Sequence, residues 1–548
     1  MISKLLKYFH TVRHLKIKQI FFRLKKFFFK PKFFLTKTPN RRKLIGIWKK
    51  SIINSNCIAD NGSFNFLNEE GFLKNNTSWN DKKKEKLWLY NLHYFDYINS
   101  NTHNLSHDKS LDLMHRWVIE NPPLIGVGWD PYPSSLRIVN WIQWSLNGNE
   151  IDQPIMDSLH AQAHILMQDI EYHILGNHIF ANAKALIFYG LYFQGSFPEK
   201  CLMRGLKILD EEIDEQILFD GGHFERSTMY HSIISKDLLD LINLSNAFFH
   251  IEVGSHVNLW KENALKMIDW MISMLHPDNE IAFFNDAAFN IAPKPLIIID
   301  YAKSLGISSN KKYPKNDLEF VNLESSGYSI IKSSEMTAIL DCAPLGPEYL
   351  LGHSHADTLS FEFSLFNSRV FINSGTSCYG LSEQRLRERG TAFHNTVEVN
   401  QKNSSEVWSG FRVARRAKPF DFKYKKYSQN ELSVSCKHNG YHNTFRKITH
   451  ERQWKFQDKK MIISDRLRGK YNSAKAYFYL HPSINVVIKE NNAHLTLTND
   501  QKLKVSFEGG LISLNDSQWF PEFGKKVYSN VLILDFNKSK SITTVDWS

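Results

Sequence analysis

The segment GHSHAD (352–357) places two histidines and an aspartate within five residues, shortly before the apolar run SFEFSLF. Such a run predicts a strand, and side chains two residues apart in a strand point to the same face. His353 and His355 could therefore serve one site, either as metal ligands or in proton transfer. The alternative is a pair of strand histidines held by ordinary hydrogen bonds.

A dinuclear zinc hydrolase is one chemistry that such a segment could indicate. Its motif HxHxDH matches at His353, His355 and Asp357, but Thr358 stands where the third histidine belongs. That motif also belongs to an αββα fold and not to the end of a long helical domain. The sequence therefore disfavours a two-zinc hydrolase.

A second cluster follows in the segment NSGTSCYGLSEQRLRERGTAFHNTV (373–397). It holds Tyr379, three arginines and, at the start of a predicted strand, His394. Guanidinium groups bind carboxylates in bidentate pairs, so an acidic sugar is a candidate ligand for this cluster. A loop with solvated charges is the alternative. The three arginines are Arg385, Arg387 and Arg389.

Two further candidates lie in the N-terminal half. In GNH, Asn177 and His178 open the apolar helix predicted for IFANAKALIFYGLYF. Asn177 could be only an N-cap, but an amide and an imidazole at a helix start can also bind a carboxylate. In DGGHFERSTMYH, Tyr230 and His231 lie one turn into a predicted helix, where positions in the core are the alternative.

The elements that must position these residues fall into two kinds. Apolar residues recur at helical spacing from about residue 84 to 305, which predicts an all-helical half. After about residue 320, short runs of β-branched and aromatic residues between turn signals predict antiparallel sheets, arranged as a sandwich. We predict an N-terminal arm, a helical domain and a β domain at residues 1–60, 61–315 and 316–548.

The net charge of +12 is confined to the N-terminal arm. Residues 1–50 hold sixteen Lys or Arg and no Asp or Glu, so the remaining chain holds 52 basic and 56 acidic residues. The body of the protein is therefore slightly acidic. Together with the lack of a recognised nucleic-acid module, this argues against a nucleic-acid partner.

Residues 1–35 interleave basic side chains with Phe, Leu and Ile, without the uninterrupted apolar core of a signal peptide or spanning helix. They suit a helix lying on an anionic membrane surface. A helix packed on its own domain with a solvated basic face is the alternative. Five scattered cysteines without a CxxC pair suit a reducing compartment. We expect a location in the cytoplasm or at the inner face of the membrane.

Taken together, the segments GNH, DGGHFERSTMYH, GHSHADTLSFEFSLFNSRVFINSGTSCYG and RGTAFHNTV resemble the heparinase II/III-like polysaccharide lyases, over most of the chain. The resemblance implies an α+β multidomain fold, an incomplete (α/α) toroid followed by an antiparallel β-sandwich, with the active site in the cleft between them. The chain also looks like the branch linked to surface-polysaccharide assembly, which implies a role in capsule or O-antigen metabolism.

The resemblance further implies β-elimination at a uronic acid. The C5 hydrogen of such a sugar leaves only when the neighbouring carboxylate is neutralised, a role implied for Asn177 with His178. Tyr230 and His353 match the acid and base positions of the family, in either order, and Tyr379 is a second tyrosine candidate. An acidic polysaccharide is the implied substrate. We expect four further side chains to bind it: Arg385, Arg387, Arg389 and His231.

Metal-containing members of the family hold a zinc between two histidines and an aspartate. His355 and His394 match the histidines, whereas Asn373 falls at the aspartate position. A neutral amide oxygen is a poorer zinc ligand than a carboxylate. We therefore expect no required cofactor, and a structural zinc only if this weakened site binds one.

A competing hypothesis is a non-catalytic or differently acting member of the same fold, which binds a surface polysaccharide during its assembly. The basic arm and the missing signal peptide favour this alternative. The retained asparagine, histidine and tyrosine set favours chemistry.

Overall fold

The computed structural model describes residues 2–548 apart from 35, 53–56, 60, 101–104, 312–316 and 443–446. The predicted boundaries at residues 60 and 315 lie outside the described residues and stay predictions. The described chain is helical up to residue 304, apart from a short hairpin, and then forms antiparallel sheets. The predicted order of a helical half followed by antiparallel strands, an α+β fold, is confirmed.

Eleven of the described α-helices precede the sheets. They are α1 (Ile2–Val12), α2 (Ile17–Phe28), α3 (Lys86–Tyr94), α4 (His107–Glu120), α5 (Pro131–Leu146), α6 (Gln153–Gln168), α7 (Asn177–Tyr192), α8 (Ser196–Gln216), α9 (Thr228–Ala247), α10 (Ile251–Met274) and α11 (Pro295–Ser304). A twelfth, α12 (Glu383–Glu388), lies among the strands. No helix in the described ranges is long and apolar enough to cross a bilayer.

Helix α7 lies at the centre of the helical half, between α5, α8 and α9. Nearly all of its residues are buried, as expected for a helix that is apolar on every face. One charge interrupts this core: the Lys184 ammonium contacts Asp237 at 2.7 Å and Asp240 at 2.6 Å, both on α9. These ion pairs join the helix that begins at Asn177 to the helix that carries Tyr230.

The strands form three larger sheets and two hairpins. The hairpins are β1 (Phe64–Phe66) with β2 (Glu69–Gly71), and β9 (Val407–Trp408) with β10 (Arg412–Val413). The five-stranded sheet is β3 (Glu319–Leu323), β4 (Tyr328–Lys332), β5 (Met336–Asp341), β6 (Phe361–Leu365) and β7 (Ser368–Phe371), in that order.

The other two sheets complete the β half. The four-stranded sheet has the order β19-β20-β15-β8 and the eight-stranded sheet has the order β11-β12-β13-β14-β21-β18-β17-β16. Their bounds are β8 (Val397–Val399), β11 (Pro419–Ser428), β12 (Glu431–His442), β13 (Lys447–Gln457), β14 (Lys460–Arg468), β15 (Ala474–Tyr479), β16 (Asn485–Lys489), β17 (Asn492–Thr496), β18 (Lys502–Glu508), β19 (Gly510–Trp519), β20 (Val527–Phe536) and β21 (Lys540–Asp546).

The strand patterns explain where the core of this half lies. Strand β14 alternates buried and less buried side chains, so one of its faces meets the core. Strands β5 and β6 are buried on both faces, and the polar side chains Glu362 and Ser364 of β6 are hydrogen-bonded to His276 of the helical half. Buried apolar side chains from all three larger sheets meet in one cluster.

The segment between α10 and α11 joins the two halves. The Asp286 amide donates to the His353 carbonyl at 2.9 Å, and the Phe289 amide donates to the Pro521 carbonyl at 2.6 Å. The His276 ring also contacts Glu362 of β6 at 2.9 Å. The segment that leads into β6, with both histidines of GHSHAD, therefore lies against the helical half.

Lys184→Met tests the ion pairs between α7 and α9. We expect the free energy of unfolding to fall by about 3 kcal/mol, because Asp240 stays buried without its closest cation. Urea denaturation would measure the change. The exposed Lys303, paired with Asp300 on the surface, provides a control whose substitution by Met should cost less than about 0.5 kcal/mol. Equal losses in the two variants would contradict the role of the buried pairs.

Candidate active site

The carboxylate of Asp286 lies at the centre of a buried charged group. His353 donates its Nδ1–H to Oδ2 at 2.8 Å, and His355 donates its Nε2–H to Oδ1 at 2.8 Å. Arg385 donates to both oxygens, with Nη2 at 2.6 Å from Oδ2. Burial alone would raise the pKa of Asp286, but Arg385 and the two histidines hold it well below its usual range. A single ionised carboxylate therefore orients both rings.

These contacts determine which nitrogen of His353 is available for chemistry. Because Nδ1 donates its proton to Asp286, Nε2 is the ring nitrogen left for proton transfer with a ligand. The side chain is 15% exposed, and its Nε2 lies 3.9 Å from Oε2 of Glu225. The ring also lies against Tyr230, with 4.1 Å between the centroids. His353 is thus oriented to accept a proton from a group outside the protein core.

Two tyrosines complete this side of the site. The hydroxyls of Tyr230 and Tyr379 hydrogen-bond at 2.9 Å, and the Tyr379 hydroxyl lies 3.5 Å from Nδ1 of His353. Ser227 caps the start of α9 by accepting from the Tyr230 amide, which places that ring beside the histidine. Burial raises the pKa of both phenols, so both keep their protons at neutral pH.

Asn177 and His178 approach the site from the start of α7. Gly176 precedes them with a positive φ of 62°, and a Cβ on it would lie 2.8 Å from Oε1 of Glu225. A glycine is needed at this position because a larger residue would be strained and would contact that carboxylate. The Asn177 side chain lies beside the Tyr132 hydroxyl, and Nδ1 of His178 contacts Glu171 at 3.1 Å.

Glu225 lies between these two groups and was missed in the sequence. Its carboxylate is buried against Gly176 on one side and His353 on the other. Burial raises its pKa, and the nearby His353 and His178 oppose that shift. Within the described ranges neither carboxylate oxygen makes a hydrogen bond of good geometry to a side chain. Glu225 is therefore a buried acid that is free to interact with a ligand.

The structure corrects the prediction that Arg385 and Arg389 bind substrate. Both are fully buried. Arg385 neutralises Asp286, and Arg389 donates to the backbone carbonyls of Ser354 at 2.8 Å and Leu351 at 3.2 Å. These guanidinium groups hold the GHSHAD segment from inside the protein and do not reach a ligand.

His231 is also placed differently from the prediction, whereas Arg387 stays a candidate. His231 is buried, donates from Nε2 to the Met267 carbonyl at 3.0 Å and accepts from the His223 amide at 3.3 Å. It supports the fold and does not bind substrate. Arg387 is exposed, with its guanidinium 5.0 Å from the Phe393 ring centroid. Binding of a carboxylate by Arg387 remains a prediction.

The residues expected to hold zinc do not fit that ion. Nδ1 of His355 and Nε2 of His394 hydrogen-bond each other at 3.0 Å. The Asn373 side chain accepts from the Asn395 amide at 3.1 Å instead of joining them. Among the described residues there is no group of three or more His, Cys, Asp or Glu that could hold a metal ion.

Asp286 had only a weak signal in the sequence. It interrupts the otherwise apolar and small run FFNDAAF, where an acidic residue needs a buried partner. Glu225 stands three residues after a glycine pair, in the segment DGGHFERSTMYH, where Tyr230 and His231 were the candidates. Neither position could be linked to His353 without the fold.

The fold and the site define a class of two-part α+β proteins with a histidine and tyrosine pair where the halves meet. Two adjacent family models match most of the chain: "Heparinase II/III N-terminus" at residues 151–303 and "Heparinase II/III-like, C-terminal" at residues 316–548. The chain belongs to the heparinase II/III-like family.

Two curated relatives are heparin-sulfate lyases from Bacteroides. The one from Bacteroides stercoris is 25% identical over 261 residues, covering 43% of this chain and 38% of the relative. The one from Bacteroides thetaiotaomicron is 25% identical over 342 residues, covering 54% of this chain and 48% of the relative. The matches thus span less than half the length of these relatives.

Solved structures share the fold over a larger part of the chain. Heparinase III superposes with a TM-score of 0.67 at 19% identity, covering 89% of this chain and 80% of that structure. Heparan sulfate lyase HepC from Pedobacter heparinus gives 0.57 at 18% identity, covering 96% and 87%. At these identities the likeness shows the common fold.

Asp286→Asn tests the central carboxylate. We expect the free energy of unfolding at neutral pH to fall by about 3 kcal/mol, because Arg385 stays buried without its counter-ion. The pKa of Asp286 is depressed in the folded state. Its contribution to stability is therefore fully present above about pH 4, near the pKa of an unfolded aspartate, and is lost as the pH falls below this toward the lower pKa of the folded state. Urea unfolding at neutral pH and at about pH 3 would measure both effects.

Asp535→Asn is the matched control, because Asp535 pairs with Lys475 on the surface of the β half. Its stability should follow the wild type at both pH values. Equal stability of the wild type and Asp286→Asn at neutral pH would contradict a central role for the buried carboxylate.

Proposed function

We propose that this protein is a polysaccharide lyase that cleaves an acidic, uronate-containing glycan by β-elimination. The observation that carries the proposal is the orientation of His353, whose free Nε2 lies beside a protonated tyrosine pair and a buried acid. In the same proposal the helices form an incomplete (α/α) toroid and the sheets a β-sandwich, with the substrate between them.

Elimination begins with neutralisation of the substrate carboxylate. In the proposed complex the Asn177 amide and the protonated Glu225 donate hydrogen bonds to this group, and His178 lies beside them. Both Asn177 and Glu225 are buried, so these hydrogen bonds are stronger than they would be in water. The charge that develops on the carboxylate when C5 loses its proton is thereby stabilised.

Proton transfer follows on the other side of the site. Nε2 of His353 takes the C5 proton, and the electron pair of that bond forms the C4–C5 double bond. The C4–O4 bond breaks, and Tyr230 donates its proton to the departing O4. Tyr379, hydrogen-bonded to Tyr230, can return a proton to it from the open side of the site. The products are a 4,5-unsaturated sugar and a new chain end.

The substrate class is supported by the relatives, which are heparin-sulfate lyases. We propose a bacterial surface glycan, a capsule or O-antigen, as the source of the uronate, and a location in the cytoplasm or at the inner membrane face. The alternative is a member of the fold that binds such a glycan without cleaving it.

A panel of uronate polymers, including the cell's own capsule, tests the proposed elimination. The ultraviolet absorbance of the unsaturated product should rise with the wild-type protein. His353→Gln should lower the rate about 10³-fold and Tyr230→Phe about 10²-fold, since each removes one proton transfer. Tyr528→Phe, at a tyrosine that is 76% exposed, is the control and should keep the rate. Binding of a polymer without any absorbance change would favour the non-catalytic alternative.

The role of Glu225 predicts a pH effect. Because its pKa is raised, Glu225 stays protonated to a higher pH than an ordinary carboxyl group, and kcat/KM should fall as the pH rises through that value. Glu225→Gln keeps a hydrogen-bond donor that does not titrate, so this fall should disappear from the pH profile. Glu398→Gln, which removes a half-buried carboxyl with a raised pKa, should retain it. An unchanged profile in Glu225→Gln would exclude the proposed role.

A further inference from the structure

Helix α1 packs on the β half through its polar face. Thr11 accepts a hydrogen bond from the Trp408 indole at 3.2 Å, and the ring of Tyr8 lies 4.9 Å from that of Trp408. The Lys7 ammonium lies 3.9 Å from Glu406. These three side chains of α1 share one side of the helix, so its apolar side is turned away from the protein.

Helix α2 packs on the helical half in the same way. The Gln19 amide donates to the Ile174 carbonyl at 3.2 Å, and Gln19 is the one buried residue of the helix. Lys26 pairs with Asp169 at 3.0 Å. The Tyr172 ring of the body also contacts the Phe22 ring and the Lys18 ammonium of this helix. Polar contacts thus hold both helices to the body.

The opposite side of each of these two helices is apolar and exposed to solvent. Ile17 is 85% exposed, Phe27 83% and Phe28 80%, values that are unusual for apolar residues at helical spacing. We name this the arm surface. Its members are Leu5, Leu6, Phe9, Val12, Ile17, Ile20, Phe21, Leu24, Phe27 and Phe28.

Charge indicates what covers the arm surface. The first fifty residues hold sixteen basic and no acidic side chains, so a second copy of the same surface would be repelled. Lys4 of α1, Lys25 of α2 and Arg13, which directly follows α1, are exposed beside the apolar residues. An anionic lipid surface matches both properties, because headgroups attract the cations while the apolar side chains enter the acyl boundary.

We propose that the arm surface seats the protein on an anionic membrane, with α1 and α2 lying in the plane of the headgroups. The arm also touches the segment that leads into the candidate active site. His14 lies 3.6 Å from Glu348, and the Lys16 ammonium lies 4.0 Å from the centroid of the Tyr349 ring. When the arm is bound to the membrane, it therefore holds residues 348–352 close to the lipid surface. The approach to His353 lies next to these residues.

Vesicle flotation with the full chain tests membrane binding by the arm surface, and this measurement does not depend on catalytic activity. We expect the wild type to float with vesicles of equal parts phosphatidylglycerol and phosphatidylcholine, and less with phosphatidylcholine alone. Leu24→Asp/Phe28→Asp should lower the apparent affinity about tenfold or more, because it places two charges in the apolar surface. Both positions are exposed, so the thermal unfolding midpoint should not change.

Ile119→Asp/Ile125→Asp is the matched control, since these isoleucines are 76% and 62% exposed but lie outside the arm. It should float like the wild type. Absence of wild-type binding to the anionic vesicles, or equal loss in both variants, would overturn the proposal. A wild-type dimer in analytical ultracentrifugation that only the arm variant dissociates, without vesicle binding, would instead assign the surface to a second copy.

Discussion

The ion pair between Asp286 and Arg385 is the interaction on which the rest of the site depends. Two buried charges are stable only when each is paired and hydrogen-bonded, and here the histidines complete the carboxylate's contacts. The backbone of the same aspartate is used as well. Its amide donates to the His353 carbonyl, and its carbonyl accepts from the Ser227 hydroxyl that caps α9. Asp286 thus fixes the His353 ring, α9 with Tyr230, and α12 relative to each other.

The sequence predicted the parts of this arrangement that have a local signal. Helical and strand periodicity separated the two halves, and dense motifs drew attention to His353, Tyr230 and Tyr379. The partner of His353 lies 67 residues earlier in the chain, in a loop without periodicity, so no local pattern could connect them. The arginines were misinterpreted because a guanidinium that neutralises a buried carboxylate has the same sequence signal as one that binds an acidic ligand.

A second group of Asp, Arg and His side chains, in the β half, shows which features make the group around Asp286 a candidate active site. There His450 and Arg452 both contact Asp465 at 2.7 Å, and Arg452 donates to the Leu359 and Asn395 carbonyls. The residue types are the same, but this group is fully buried. It joins strands of the eight-stranded sheet to the segments around the GHSHAD motif. An Asp–Arg–His group can therefore be purely structural in this protein. The group around Asp286 differs because its His353 is partly exposed to solvent and lies beside two tyrosines.

The N-terminal helices also show that a local sequence pattern does not identify what a residue or a helix face will contact. An amphipathic period identifies two faces of a helix but does not say which face meets the protein, and the usual expectation is the apolar one. In α1 and α2 the acceptors on the body are carboxylates and backbone carbonyls, which bind Lys26 and Gln19. Because the body offers polar partners, the apolar faces are left outside. The exposed apolar area of the arm therefore follows from a body that binds mainly the polar side of each helix.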